Sequence, residues 1–287
     1  MGFFVFPKLV KLVKWYRYLY KDNYIHRERV LFMNEQTTPK IIAVAGKGGV
    51  GKTSIAATIV KLLVKNYPDK RILAIDADPA VGLSTALGIE TKKTIDDVRK
   101  EAIAASEDGK NAVVEVLGNA EYSIEEAIVN QNGFSFMAIG RPEASGCYCK
   151  INTYLKEVIS AISSHYDYVV IDGEAGIEQI NRRVMEKVTH LLLVTDQSQK
   201  GRQVVKTIKQ VADELVMYEE IGVIANRLSS LAMKEELDVG GIPVLAKIPM
   251  DDELARFDME GENVFFLSED APIVKGTSEA LKKIHIL

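Results

Sequence analysis

The residues best suited to chemistry lie in one short run, Gly46 to Ser54, which reads G-K-G-G-V-G-K-T-S. Gly46, Lys47, Gly48, Gly49, Val50, Gly51, Lys52 and Thr53 match G-x-x-x-x-G-K-[ST], with Ser54 next in line. Glycines let such a loop wrap backbone N–H groups around phosphate oxygens. A helix that starts there adds the positive end of its dipole. Lys52 is placed to neutralise the β- and γ-phosphates, and the Thr53 hydroxyl to ligate Mg²⁺. The chemistry expected is therefore nucleotide binding, with Mg²⁺ as a cofactor.

Two further runs end in carboxylates. R-I-L-A-I-D-A-D-P carries Asp76 and Asp78 before Pro79, and Y-D-Y-V-V-I-D-G-E-A-G-I-E carries Asp172. Acids at the C-terminal end of a strand lie where open α/β sheets bind ligands. Asp172 is expected to hold Mg²⁺ through water, and Gly173 and Gly176 to let the next loop respond to a γ-phosphate. An ordinary turn-forming D-x-D-P is the plainer alternative for the first pair.

The chain's two cysteines, Cys147 and Cys149, stand one residue apart in G-C-Y-C-K. Small buried apolar groups, a redox pair and chance placement are three plain readings. A fourth is a metal site, because thiolates suit Zn²⁺ and related ions and tetrahedral sites commonly take four protein ligands. One chain supplies two thiols and no nearby histidine, His165 being the closest in sequence; a homodimer would supply four.

The elements that must hold these groups follow from periodicity. K-I-I-A-V-A reads as a buried strand, and S-I-A-A-T-I-V-K-L-L-V-K-N-Y as the helix after the loop. I-D-D-V-R-K-E-A-I-A-A-S and S-I-E-E-A-I-V-N read as helices. F-S-F-M-A-I-G reads as a strand, and a helix is expected to begin just after the cysteines, at I-N-T-Y-L-K. H-L-L-L-V-T-D-Q-S and E-I-G-V-I-A-N-R-L then alternate with helical segments. The alternation predicts an α/β fold: a mostly parallel sheet with helices on both faces. The chain has 287 residues and a net charge of −4, which gives no general reason to bind nucleic acid. No apolar run reaches the roughly 18 residues of a membrane span, and the sparing cysteine use fits the cytoplasm.

Residues 1–38 form a basic, aromatic N-terminal extension before a single domain over 39–287. Lys8, Lys11, Lys14, Arg17 and Lys21 fall on one helical face. Residues 1–32 read either as an interfacial helix against an anionic membrane or a partner, or as an upstream start with no essential role. The second reading is favoured.

With Lys47 after the first glycine, K-G-G-V-G-K-[ST] resembles the branch of phosphate-loop ATPases that includes nitrogenase iron protein and the division-site and partition ATPases. The resemblance implies that Lys47 reaches the nucleotide of a facing subunit, so that ATP closes a homodimer. It implies that Asp78 orients the attacking water, with Asp76 as support near the magnesium. It also implies that Asn226 in A-N-R-L, with Pro249 and Asp251 in I-P-M-D, contacts the adenine, which makes ATP/ADP rather than a guanine nucleotide the expected cofactor. C-Y-C between the two switch segments, with D-G-E-A-G-I-E as the second, narrows the resemblance to the CooC-type nickel-inserting ATPases. Those serve carbon monoxide dehydrogenase or acetyl-CoA synthase. The expectation is a cytoplasmic ATP-hydrolysing metallochaperone, catalysed by Lys47, Lys52 and Asp78. Cys147 and Cys149 of two chains would share Ni²⁺ or Zn²⁺. The alternative is a membrane-associated positioning ATPase of the MinD/ParA class.

Overall fold

The structure, a computed structural model, describes residues 38–78, 82–107, 120–140, 149–173, 180, 184, 187–215 and 218–287. The basic extension, residues 79–81, the loop that carries Cys147 and the glycine loop after Asp172 lie outside them. The fold belongs to Pro39–Leu287. No helix among the described residues is long and apolar enough to cross a membrane.

Strands β1 (Lys40–Gly46), β2 (Ile72–Asp76), β3 (Val129–Gln131), β4 (Phe134–Ala138), β5 (Tyr168–Asp172), β6 (His190–Thr195), β7 (Glu220–Leu228) and β8 (Val244–Pro249) form one sheet. Their spatial order is β3-β4-β2-β5-β1-β6-β7-β8. Every pairing is parallel except β3 with β4. The parallel α/β sheet expected from the alternating pattern is therefore present.

Alternation within each strand divides the core in two. Ile42 and Val44 of β1 join Ile72, Val170 and Leu192 on one face. Helices α1 (Lys52–Asn66) and α8 (Pro272–Lys283) cover that face with Ile55, Ile59, Ile273 and Leu281. Ala43 and Ala45 belong to the other face with Leu73, Ile171 and Leu193. Helices α3 (Ile95–Glu107), α4 (Ala120–Ala127), α5 (Cys149–Ser163) and α6 (Gln199–Leu215) cover it. The short α2 (Gly82–Ala86) follows β2, and α7 (Asp252–Glu260) follows β8. The C-terminal segment is core: Leu281 of α8 is buried, as are Ile284 and Ile286 just beyond its end.

Two elements differ from the sequence expectation. S-I-E-E-A-I-V-N is not one helix, because α4 stops at Ala127 and Val129 opens the edge strand β3. A tight turn at Asn132-Gly133 folds β3 back on β4, with Gly133 at φ 92°, and such a dipeptide outranks a helical pattern that has run out of length. Helix α5 starts at Cys149, two residues before the expected Ile151, so the second cysteine occupies its first turn.

Candidate nucleotide-binding site

Three neighbouring strands end together at the C-terminal edge of the sheet. In register, Val44 of β1 lies beside Asp172 of β5, and Asp172 beside Asp76 of β2. On the far side of β1, Gly46 pairs with Val194 of β6. The loop Lys47–Gly51 leaves β1 here and enters α1 at Lys52. This is the crevice, at the reversal of strand order, where open α/β sheets take ligands.

The loop is held from behind. Asn226 Nδ2 donates to the Val50 carbonyl at 2.9 Å, and Arg227 Nη1 to the Gly49 carbonyl at 2.8 Å. A Cβ at Gly51 would lie 2.5 Å from Asn226 Nδ2, and Gly51 has φ 93°, so only glycine fits this clamp. Gly48 is different. It has no left-handed φ, and a Cβ there would meet nothing. Neither packing nor backbone geometry asks for glycine at that point, whereas a phosphate approaching the backbone would.

In front of the loop, charge is buried without full compensation. Lys52 is 7% exposed, and its Nζ donates to the Lys47 carbonyl at 3.3 Å, a long bond that a phosphate oxygen would displace. Asp172 and Asp76 are fully buried. Asp76 accepts from the Leu83 N–H at 2.9 Å and the Asp78 N–H at 3.1 Å. Neither carboxylate oxygen of Asp172 has a well-formed hydrogen bond, although the Thr53 hydroxyl lies close enough to favour the ionised form. Burial pushes the Asp172 carboxyl up to about 7; Asp76 and Asp78 add to the rise, while the Thr53 hydroxyl and the Lys52 ammonium oppose it. Burial likewise lifts Asp76 to about 6, against its two backbone donors. An acid buried beside a second acid, with neither oxygen in a well-formed hydrogen bond, suits a cation and its water. Thr53, Asp76 and Asp172 are thus together and fit Mg²⁺ as a hard-oxygen set. Asp78 follows directly from β2 at the same edge, with its N–H on Asp76.

Residues 41–264 match the model of the CobQ/CobB/MinD/ParA nucleotide binding domain. The chain belongs to this family. Among curated members, an uncharacterised ATP-binding protein of Methanocaldococcus jannaschii is 36% identical over 250 residues, spanning 85% of this chain and 98% of that protein. The carbon monoxide dehydrogenase accessory protein CooC of Rhodospirillum rubrum is 30% identical over 248 residues, 79% of this chain and 90% of its own. The cell division ATPase MinD of Pyrococcus furiosus superposes with a TM-score of 0.62 at 22% identity, over 86% of this chain and 99% of its own. As a member of this nucleotide-binding family, the protein carries its phosphate loop in the setting described above.

The other residues singled out from sequence are placed as follows. Asn226 is buried against the phosphate loop, at β7. Pro249 closes β8, and Asp251 caps α7, taking the Leu254 N–H at 3.0 Å on Oδ1 and the Ile273 N–H at 3.0 Å on Oδ2. Lys47 is directed sideways, its Nζ 3.2 Å from Asp196 Oδ2. Cys149 opens α5, and Cys147 lies outside the described residues. Sequence reasoning missed two participants. Asp196 directly follows β6, and the strand-end rule that selected Asp76 and Asp172 selects it too. Arg227 sits at φ 58°, an uncommon conformation for a residue other than glycine, and braces the loop.

Proposed function

We propose that the protein is an ATP-hydrolysing metallochaperone that acts as a homodimer and loads nickel into a metalloenzyme, carbon monoxide dehydrogenase or acetyl-CoA synthase. The observation that carries the ATPase part is Asp172: two buried carboxylate oxygens without a well-formed hydrogen bond, beside Thr53 and Lys52. Bound Mg²⁺ would neutralise charge building between the β- and γ-phosphates. The remaining work falls to this chain's own groups. Gly46–Ser54 wrap the phosphates, Lys52 gives up the Lys47 carbonyl for a phosphate oxygen, and the Thr53 hydroxyl and Asp172 hold the ion, with Asp76 behind them. Asp78 orients the attacking water, and Lys47 crosses to the partner's nucleotide. Asn226, Pro249 and Asp251 border the adenine.

The metal part is supported by the C-Y-C pair and by likeness to the Rhodospirillum rubrum accessory protein. Cys149 opens α5, where the positive end of a helix dipole favours thiolate, the form that binds soft cations. Two chains brought together by ATP would join four thiolates around one Ni²⁺ or Zn²⁺. Nickel is here the cargo.

The test is metal content of the purified protein with and without a non-hydrolysable ATP analogue, for the parent and for the double variant Cys147→Ser, Cys149→Ser. The parent should hold one Ni²⁺ or Zn²⁺ per two chains with the analogue present. The variant should lose the metal and keep phosphate release. Equal metal binding by the two proteins would end the chaperone reading and leave a nucleotide-driven dimer of another purpose. Co-sedimentation with anionic vesicles, with and without residues 1–32, would then address the positioning alternative.

A further inference from the structure

Lys47 is the loop residue whose proposed task lies in another molecule, yet its ammonium is engaged inside its own chain. Its Nζ lies 3.2 Å from Asp196 Oδ2, and the two side chains are 28% and 26% exposed. At that exposure an ion pair is neither washed out by solvent nor locked in a dry interior.

The acceptor side of the pair is built. Asp196 Oδ1 takes the Ser198 N–H at 3.0 Å and the Ser198 hydroxyl at 2.5 Å. The Ser198 hydroxyl in turn accepts the Gly201 N–H at 2.9 Å, capping α6. A Cβ at Gly201 would fall 2.3 Å from Asp196 Oδ1, so the first turn of α6 is closed against the carboxylate. These contacts fix Oδ1 and leave Oδ2 facing the loop. Burial would raise the Asp196 pKa, but Ser198 and Lys47 outweigh it and hold the carboxyl below its ordinary range. The donor side is open: beyond Lys47, Cβ atoms at Gly48 and Gly49 would meet nothing.

We propose that Asp196 is a positioning residue that keeps Lys47 in cis until nucleotide is bound, so that pairing of two chains must break one Lys47–Asp196 contact in each. This rests on the reading above, in which Lys47 acts across the dimer. Nucleotide prepares the release from within. When Lys52 turns to a phosphate oxygen, it leaves the Lys47 carbonyl, and Asp196 becomes the remaining hold on that residue. After release, Asp196 keeps its Ser198 bonds and solvent access, so the carboxylate is not stranded. By symmetry two contacts break per dimer. An effect of about threefold per chain therefore becomes about tenfold in the monomer–dimer equilibrium.

The experiment is analytical ultracentrifugation of the full chain with Mg²⁺ and a non-hydrolysable ATP analogue. The proteins compared are the parent, Asp196→Asn, Asp196→Ser, Asp196→Glu, Lys47→Ala and the pair Lys47→Ala, Asp196→Asn. Both neutral variants should form dimer at about tenfold lower protein concentration than the parent. Asp196→Glu, which restores the charge, should return toward parental behaviour. Lys47→Ala should lose the analogue-dependent dimer, and Asp196→Asn should restore nothing in that background. A purely structural role for Asp196 would weaken the dimer or leave it unchanged, and either result in the neutral variants overturns the latch while parental dimerisation keeps the trans reading intact. A parent that stays monomeric with the analogue overturns both.

Discussion

Asp172 and Asp251 are the same residue type at nearly the same place in their elements, one ending β5 and the other following β8. Their surroundings differ in kind. Asp251 places one oxygen on the Leu254 N–H and the other on the Ile273 N–H, joining the starts of α7 and α8. Asp172 has no well-formed hydrogen bond on either oxygen and lies fully buried beside a second acid. The first satisfies donors that helix ends leave open. The second is tolerable only if it is protonated or if something positive arrives. A buried carboxylate with its partners inside the fold maintains the fold, whereas one without them is waiting for a ligand.

The contrast can be broken most forcefully at Asp172. Asp172→Asn should lower phosphate release by about 100-fold or more while the apo protein melts no lower than the parent, because an unpaired acid has been removed. Phosphate-release kinetics and thermal melts decide it, and a variant that melts several degrees lower with near-parental turnover would reverse the assignment.

A second approach uses pH. Unfolded, both carboxyls titrate near 3.8; folded, Asp76 does so near 6 and Asp172 near 7. Between those limits the folded chain holds more protons than the unfolded one. Apo stability should therefore fall as pH rises from about 4 to about 7, by on the order of 7 kcal/mol for the two acids together, and then level off. Binding of Mg²⁺ with nucleotide draws on the ionised acids, so the stabilisation it adds should grow over the same window. Urea titrations at four pH values with and without ligand would show it, and a flat apo profile would remove the unpaired-acid argument.

The smallest expected effect is at Asp251. Asp251→Ala should cost about 2 kcal/mol of stability, since it uncaps α7 and strands the Ile273 N–H. Denaturant melts measure this directly. Nucleotide affinity measured on the folded variant then separates a border of the adenine site from a cap alone.

Much of this arrangement was legible in the sequence where backbone periodicity and chemistry agreed. The strand before Gly46, the helix after Lys52 and the acids ending β2 and β5 each carry a pattern that names both the element and its edge. What escaped was set by long-range geometry. Nothing local says that Asn226 and Arg227, far along the chain, brace the carbonyls of Val50 and Gly49, or that Asp196 meets Lys47. β3 escaped for a different reason: a three-residue edge strand has no room for an alternating pattern, and its one signal is the Asn132-Gly133 turn. Asp251 looked from its motif like a ligand contact, and only its two backbone donors revealed that it also ties two helices together.

The alignment of Val44, Asp172 and Asp76 across three adjacent strands has a consequence for the quality of the folded population. A slip of one residue in β5 would turn Asp172 to the opposite face of the sheet and put Ile171 or Gly173 at the phosphate crevice. Such a molecule could retain most of its helices and its compactness and yet be unable to turn over. Specific activity per chain would then count correctly paired sheets, making turnover a finer gauge of folding fidelity in a preparation than helix content or size.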